Sequence, residues 1–276
     1  GATAEEQQVL SQYVGWGGLA DAFDPNKENW SAEYTQLKEL LSEDEYAAAR
    51  ASTLNAHYTS PTVIRGIYDA VERMGFQSGN ILEPSMGVGN FFGMLPTSMA
   101  DSRLYGVELD SITGRIAKKL YPQADITVAG FETTDRRDFY DLAVGNVPFG
   151  QYRVNDKAYN KLGFSIHNYF FAKAIDQVRP GGIVAFVTSR YTLDSKDSAA
   201  RKHIAERADL LGAACQTTHS APMRALMLSV TSSFCRNATA PLTMSRTGCS
   251  WAKQKMALPS TSISQTTRRW FWAYSP

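Results

Sequence analysis

The sequence predicts a doubly wound α/β fold, in which helices cover both faces of a mostly parallel sheet. Between residues 60 and 208, short apolar runs of strand length alternate with segments whose apolar residues recur at helical spacing. Parallel strands need crossover connections that are usually helices, so the alternation itself indicates a parallel sheet. The chain has 276 residues, of which 43% are hydrophobic, which suits one domain of about 150–200 residues with extensions.

The predicted elements follow one another in a regular order. Residues 1–55 are expected to form a helical extension, because Ser42 and Glu45 have the spacing of a capping box. Ser60 and Pro61 supply the N-cap and the first-turn proline of the next helix. Strands are then expected at residues 81–83, 103–108, 125–128, 140–144 and 183–187, and further helices at residues 112–120, 169–178 and 195–208.

Composition excludes several classes of protein. No apolar run approaches the roughly 18 residues of a membrane-spanning helix, and no signal peptide opens the chain. The three cysteines, Cys215, Cys235 and Cys249, do not have the spacing of a disulfide framework or a zinc site. No metal is therefore expected, and a reducing cytoplasmic setting is predicted. Because Gly1 rather than methionine begins the chain, we expect a piece of a longer protein.

The ends of the first two strands suit a nucleoside cofactor. Ligands of an open parallel sheet bind at the carboxyl ends of its strands. The first strand leads into Glu-Pro-Ser-Met-Gly-Val-Gly at residues 83–89, where Gly87 and Gly89 allow backbone to approach a ligand closely. The second strand ends in Glu108, whose carboxylate can accept hydrogen bonds from two ribose hydroxyls. The third glycine of the dinucleotide fingerprint is absent, which argues against NAD.

The fourth strand ends in Asn-Val-Pro-Phe at residues 146–149. This motif places an amide acceptor, a rigid turn and an aromatic ring at the same edge of the sheet. A simple strand-ending turn could have the same sequence, but the position beside the glycine turn favours a functional role. With these two motifs the chain resembles the adenine-specific amino-methyltransferases of DNA, which use S-adenosylmethionine and carry Asn-Pro-Pro-Tyr/Phe and Asp/Glu-Pro-x-x-Gly-x-Gly.

The resemblance extends beyond the two motifs. His-Tyr-Thr-Ser-Pro at residues 57–61 takes the place of the upstream cofactor motif of the gamma arrangement. Residues 10–211 are more narrowly similar to the methylase region of large phage- or plasmid-borne proteins that join a DNA methylase to a helicase. The resemblance implies a Rossmann-like S-adenosylmethionine-dependent methyltransferase sheet in residues 56–211. It also implies DNA and S-adenosylmethionine as partners, with a helicase domain in the same parent polypeptide.

The resemblance also implies roles for individual residues. The side-chain oxygen of Asn146 and the carbonyl of Val147 would accept hydrogen bonds from the exocyclic amine of a flipped adenine, Pro148 would shape the turn and Phe149 would stack on the base. No general base is required, because catalysis is orientation and electrostatics. The residues implied to bind the cofactor are Tyr58, Thr59, Glu83, Pro84, Ser85, Gly87, Gly89, Glu108, Phe131 and Asn146.

Two positions depart from the family pattern. Val147 stands where the family usually has proline, which we expect to be tolerated because this position acts through its carbonyl. Gly130 stands where many relatives have an aspartate that holds the amino group of the cofactor's adenine, and Glu132 or a backbone group could replace that contact. The cations flanking the expected DNA side, each either a phosphate contact or ordinary surface charge, are Arg136, Arg137, Arg153, Lys157 and Lys161.

Three alternative functions stay open at the level of sequence. A methyltransferase acting on guanine in ribosomal RNA, or on protein glutamine, would share the fold and a similar strand-four motif. The motif at residues 57–61 favours DNA over both substrates. The third alternative is a non-catalytic DNA-binding remnant of a larger protein, which cofactor binding would distinguish from an enzyme.

A different composition begins near residue 212. The last acidic residue is Asp209, and the 67 residues after it hold seven Lys and Arg and all three cysteines. Residues 215–276 show no clean periodicity, so we expect the sheet to lack its last two strands. Residues 212–276 are predicted to be an aberrant, basic, Ser/Thr-rich tail. A natural disordered tail that touches DNA phosphates would have this composition, but we favour a shifted reading frame.

Back-translation is compatible with the shifted frame. With suitable codons, residues 214–220 read one base earlier as Leu-Pro-Asn-Asn-Ala-Phe, similar to Leu-Pro-Asn-x-x-Phe in relatives of the resembled family. Residues 229–241 can likewise encode a strand followed by charged residues. A sheet without its last strands has an unpaired edge, so this interpretation predicts a poorly stable chain with little or no activity. Resequencing the codons for residues 212–216 is the test.

Overall fold

The computed structural model describes residues 2–53, 59–218 and 221–231, with the backbone alone described for residues 214–231. The helices are α1 (Ala4–Ser11), α2 (Ser31–Leu40), α3 (Glu43–Ser52), α4 (Pro61–Arg73), α5 (Asn90–Gly93), α6 (Ser111–Leu120), α7 (Ile166–Gln177), α8 (Tyr191–Asp194) and α9 (Ala199–Ala205). The strands are β1 (Asn80–Glu83), β2 (Arg103–Glu108), β3 (Asp125–Val128), β4 (Tyr140–Asn146), β5 (Val178–Ser189), β6 (Ala208–Thr218) and β7 (Ala221–Thr231).

The strands form one mixed sheet in the order β3-β2-β1-β4-β5-β7-β6. The first five strands run parallel to one another, and β7 is antiparallel to both β5 and β6. The strand order reverses between β1 and β4, which is where ligands bind in sheets of this kind. The prediction of a Rossmann-like α/β sheet is confirmed.

Local sequence signals account for several of the helix starts. The predicted capping box is present, because the Ser42 side chain accepts from the Glu45 N–H and Glu45 accepts from the Ser42 N–H. Ser60 caps α4, with Pro61 as its first residue. The helix expected at residues 195–208 is shorter than predicted, since α9 ends at Ala205 and β6 begins three residues later.

Two apolar layers enclose the central strands. On one face, α4 packs its buried residues, among them Ile64 and Ile67, against β1, β4 and β5. On the other face, α7 contributes Phe170 and Phe171 to a cluster that includes Phe186 of β5. Burial on both faces explains why β4 and β5 are apolar runs rather than alternating strands. Among the described residues, no helix is long and apolar enough to span a membrane.

The expectation that the last two strands are missing is wrong for the described residues. Strand β7 pairs with β5 through seven residue pairs from Ile183 to Ser189, so the edge of β5 is covered. The sequence pattern permits this, because Ala-Leu-Met-Leu-Ser-Val at residues 225–230 is an apolar run that suits a buried strand. The sheet therefore continues past residue 211. The origin of the tail in a shifted frame stays a prediction, and residues 232–276 lie outside the described residues.

Candidate active site

The parallel register brings the candidate site residues to one edge of the sheet. Glu83 is the last residue of β1, Glu108 the last of β2 and Asn146 the last of β4. These strands are adjacent in the sheet, and parallel strands end on the same side. The two sequence motifs, more than 50 residues apart, are joined directly where the Ser85 hydroxyl donates a 3.0 Å hydrogen bond to the Asn146 carbonyl.

The glycine turn after β1 is held against the end of β2. The Gly87 N–H donates to one carboxylate oxygen of Glu108 at 2.8 Å, and the Asp110 N–H donates to the other at 2.8 Å. Gly87 and Gly89 have φ of +56° and +86°, a region that favours glycine. A Cβ at Gly89 would lie 2.5 Å from the Tyr121 ring. Burial raises the pKa of Glu108, and the backbone donors oppose that rise.

Glu83 is a buried carboxylic acid with an unused oxygen. Its side chain is 2% exposed, and its Oε2 has no hydrogen-bond partner in the described part of the chain. Burial, and to a smaller extent the charge of Glu108, hold the pKa of Glu83 well above its usual value. Gly145 of β4 lies close to the Glu83 side chain, since a Cβ at Gly145 would be only 3.4 Å from the Glu83 Cγ. A cationic group would satisfy this acid, and the methionine end of S-adenosylmethionine carries an ammonium.

The strand-four motif is fixed to the neighbouring strand by its backbone. The Val147 N–H donates to the Val187 carbonyl of β5 at 3.1 Å, and the Val147 side chain is 1% exposed. Proline, usual at this position in the resembled family, has no N–H to make that bond. The structure therefore gives a physical reason for valine here. Pro148 and Phe149 follow at intermediate burial, and Phe149 packs against the apolar cluster that contains α4.

The remaining residues predicted to bind the cofactor differ in their burial and in their distance from the strand ends. Pro84 is buried in the turn after β1, and Thr59 is 7% exposed just before α4. Tyr58 lies outside the described residues. Phe131 lies three residues after the end of β3, but it is 3% exposed and its ring centroid lies 4.9 Å from that of Phe170. Its contact with a cofactor stays a prediction.

The turn after β3 shows how the missing aspartate could be replaced. A Cβ built on Gly130 would collide with the carboxylate of Glu132, so this carboxylate lies where a side chain at position 130 would begin. The Glu132 carbonyl is held by the Lys173 ammonium at 3.0 Å. The expectation that Glu132 or a backbone group takes the place of the aspartate of related enzymes stays a prediction.

Leu109 is a candidate site residue that the sequence interpretation missed. It directly follows Glu108 and is 76% exposed, in contrast to the buried leucines of the core. A large apolar side chain beside an acid that is predicted to bind a ribose is suited to cover the base attached to that ribose. The signal in the sequence was its position, an apolar residue directly after the acid that ends β2.

The five candidate DNA-side cations fall into two groups. Arg136 lies over the Tyr105 and Phe139 rings and pairs with Asp125, and Arg137 pairs with Asp176 at 2.9 Å. These two arginines have partners within the fold. The other three are exposed and form no ion pair with the described residues; they are Arg153, Lys157 and Lys161.

Two known proteins similar in sequence come from viruses. Defense against restriction protein B of Escherichia phage P1 is 25% identical over 218 residues, which cover 76% of this chain and 8% of the phage protein. Type II methyltransferase M.CvrRI of Paramecium bursaria Chlorella virus XZ-6E is 34% identical over 93 residues, which cover 33% of this chain and 24% of the viral protein. The chain thus spans less than a quarter of each relative's length. No family model matches the sequence.

Solved structures with a similar fold include methyltransferases. A Listeria monocytogenes protein assigned to the class I S-adenosylmethionine-dependent methyltransferases has a TM-score of 0.56 at 16% identity, covering 88% of this chain and 92% of that one. A modification subunit assigned to a type I restriction enzyme of Vibrio vulnificus YJ016 has a TM-score of 0.53 at 15% identity, covering 74% of this chain and 49% of that one. The chain has the fold of S-adenosylmethionine-dependent methyltransferases, and this fold supports S-adenosyl-L-methionine as its cofactor.

Proposed function

We propose that this chain is the methyltransferase part of a DNA-modifying protein and transfers a methyl group from S-adenosylmethionine to the exocyclic amine of adenine. The fold and both viral relatives support a methyltransferase related to restriction and modification. The observation that carries the proposal is the join between the two motifs, in which Ser85 of the glycine turn bonds the carbonyl of Asn146. This hydrogen bond supports the proposal because it connects the turn proposed to hold the cofactor with the residue proposed to bind the amine.

Residues of the sheet edge would hold the cofactor in a fixed orientation. When bound, S-adenosylmethionine supplies an electrophilic methyl group on a sulfonium. Glu108 would accept the ribose hydroxyls, Glu83 would neutralise the methionine ammonium, and Glu132 would hold the amino group of the cofactor's adenine. The buried surroundings of Glu83 strengthen its interaction with a cation, since the local dielectric is low.

Asn146 and its neighbours would activate the target amine. The amine of adenine is a weak nucleophile because its lone pair is delocalised into the ring. If the Asn146 side-chain oxygen and the Val147 carbonyl each accept a hydrogen bond from the amine, the nitrogen becomes pyramidal and its lone pair can face the methyl group. Phe149 would stack on the flipped base. The proton lost after transfer passes to solvent, so the residues act by orientation and electrostatics.

Replacing the proposed amine acceptor tests this assignment. Asn146→Ala should reduce methyl transfer to an adenine-containing duplex by about 100-fold or more, the range found when a preorganised transition-state hydrogen bond is removed. Binding of S-adenosylmethionine, followed by calorimetry, should change little. Asn26→Ala alters an exposed asparagine of the N-terminal extension and is the matched control.

The location of the product methyl group decides among the substrate classes. Digestion of the methylated duplex and mass spectrometry should find N6-methyladenine. Methylated guanine in ribosomal RNA or methylated protein glutamine, in a parallel substrate panel, would contradict the assignment. Undiminished transfer by Asn146→Ala would refute the role of Asn146. The helicase domain of the parent polypeptide stays part of the proposal, motivated by the much greater length of the phage relative.

A further inference from the structure

The segment that follows the strand-four motif carries charge of one sign on its surface. Residues 150–165 contain three cations and a single acid, Asp156. Arg153, Lys157 and Lys161 are exposed, and none of them forms an ion pair with the described residues. Surface cations without an ion pair in the described part of the chain leave their charge available to a partner.

Asp156 is removed from this surface by a buried ion pair. Its carboxylate accepts from the Lys173 ammonium at 2.7 Å and from the Tyr169 hydroxyl at 2.8 Å. The side chains of Lys173 and Asp156 are 4% and 9% exposed. Burial acts to raise the pKa of Asp156, but these hydrogen bonds outweigh it and hold the pKa below its usual value. The segment's only negative charge is therefore buried and neutralised.

A second acid near the segment is also neutralised. Asp176 of α7 accepts from the Tyr159 hydroxyl at 2.8 Å and pairs with Arg137 at 2.9 Å and with Arg207 at 3.8 Å. The charge that remains at the surface is positive. A cavity of about 280 Å³ opens between this segment and α7, with Arg153 and Asn155 on its lining.

Hydrogen bonds of its backbone also fix the conformation of the segment. The Asp156 N–H donates to the Asn160 side chain at 2.9 Å, and the Tyr152 carbonyl accepts from the Ile166 N–H at 2.9 Å. The segment begins directly after Phe149, at the edge where β4 ends. Its cations are thus carried on an anchored segment rather than on a loose tail, and they extend the sheet edge on which the target base is proposed to bind.

We infer that residues 150–165 form a contact surface for the phosphate backbone of DNA, with Lys157 and Lys161 as phosphate-binding residues and Arg153 beside them. This inference rests on the proposed function, because it takes the DNA strand that carries the target adenine as its occupant. Phosphate contacts position a duplex without reading its sequence. The buried Lys173–Asp156 pair serves the surface by keeping its one acid away from the phosphates.

The test compares two pairs of lysines that carry the same charge and are all exposed. Lys157→Gln with Lys161→Gln alters the proposed surface, and Lys118→Gln with Lys119→Gln alters exposed lysines of α6, near its C-terminal end and the opposite edge of the sheet. Binding of a fluorescent adenine-containing duplex is measured by anisotropy from 50 to 200 mM salt. Each lost phosphate contact should lower the log–log salt slope by about 0.9. Between 50 and 200 mM salt, the fold-loss of affinity should therefore be about ten times smaller for the first pair than for the unaltered chain. The α6 pair should show the same fold-loss as the unaltered chain.

The outcomes separate this inference from the proposed chemistry. Equal salt slopes for the two pairs, or no binding of DNA by the unaltered chain, would overturn the inference. Tighter binding of an RNA of the same sequence, with the same loss in the first pair, would overturn the assignment to DNA. A reduced slope in the first pair alone, in a protein that methylates a base other than adenine, would support the surface while refuting the proposed reaction. Unchanged S-adenosylmethionine binding in both pairs shows that they are folded.

Discussion

At the scale of single residues, the candidate site depends on acids whose surroundings determine their charge. Glu83 and Glu108 end neighbouring strands, but Glu83 is buried, Glu108 is only partly buried, and their hydrogen-bond environments differ. Glu108 accepts two backbone N–H groups, which favour its charged form, whereas Oε2 of Glu83 lacks a partner among the described atoms. Glu83 is therefore the acid whose ionisation should respond most strongly to a bound cation.

Cofactor affinity should depend on pH through Glu83. Its raised pKa means that the acid is protonated at pH values where an exposed glutamate is ionised, and a protonated acid attracts the ammonium of the cofactor weakly. Lowering the pH through this pKa should weaken S-adenosylmethionine binding by about tenfold per pH unit, the slope for one coupled proton. Calorimetry over a pH series measures it.

A matched variant isolates the contribution of Glu83. Glu83→Gln should bind the cofactor more weakly at high pH and lose most of the pH dependence. The same ionisation destabilises the fold, because a group with a raised pKa favours the folded state at low pH and loses that contribution as the pH rises through the raised value. Glu83→Gln should also remove this decline of fold stability with rising pH. An unaltered pH profile of cofactor binding in the variant would show that another group is responsible.

Leu109 should contribute to cofactor binding without contributing to stability. It is 76% exposed, so Leu109→Ser removes little buried apolar area from the free protein. If the bound base covers it, the loss of about 1.4 kcal/mol expected from a partly buried leucine corresponds to a tenfold weaker cofactor affinity. Leu40→Ser changes a leucine that is 70% exposed in the N-terminal extension and should leave affinity unchanged. Equal affinities in both variants would remove Leu109 from the site.

At the scale of elements, α7 links two segments that flank the candidate site. The Lys173 ammonium donates to the Glu132 carbonyl in the turn after β3 and to Asp156 in the segment after β4. The Phe131 ring lies 5.4 Å from the same ammonium. One buried lysine therefore orders both the turn expected at the cofactor's adenine and the segment proposed to contact DNA.

Removing this lysine should destabilise the fold. Lys173→Met leaves the Asp156 carboxylate buried without its cation, which typically costs about 3–5 kcal/mol of unfolding free energy. The double variant Lys173→Met with Asp156→Leu should lose less, because it leaves no buried charge. Lys196→Met, at an exposed lysine of the α8–α9 connection, should stay within about 0.5 kcal/mol of the unaltered chain. Urea unfolding measures all three; equal losses in the single and double variants would argue against an uncompensated charge as the cause.

The same elements show what the sequence could and could not predict. Strands β2 and β3 have the predicted bounds, because each is a short run between clear turn signals. The position of Glu83, Glu108 and Asn146 at one edge followed from strand alternation. The Lys173–Asp156 pair was not predictable, since it joins residues 17 apart through a fold that had first to be known. Nor was the burial of Phe131, which depends on rings supplied by α7.

At the scale of the whole molecule, the largest difference between the sequence prediction and the structure concerns the last strands. Aperiodic composition after residue 212 predicted an incomplete sheet, yet β7 lies between β5 and β6 in antiparallel register. Strand pairing uses backbone groups that every non-proline residue has, so an apolar run can complete a sheet even where its pattern is irregular. Any instability inferred from an open β5 edge is therefore not expected of a chain that includes residues 208–231.

Shortening the chain should locate the segment on which the sheet depends. A chain of residues 1–231 retains the seven strands that the structure describes, so it should unfold cooperatively and bind S-adenosylmethionine like the 276-residue chain. A chain of residues 1–207 lacks β6 and β7, and the seven β5 residues that pair with β7 would lose their partners. Six of those seven are buried, so both an unpaired edge and apolar surface would be exposed. Size-exclusion chromatography and thermal unfolding should show aggregation of the shorter chain. A monomeric, cooperatively unfolding 1–207 chain would mean that the five parallel strands and their helices are stable without the antiparallel pair.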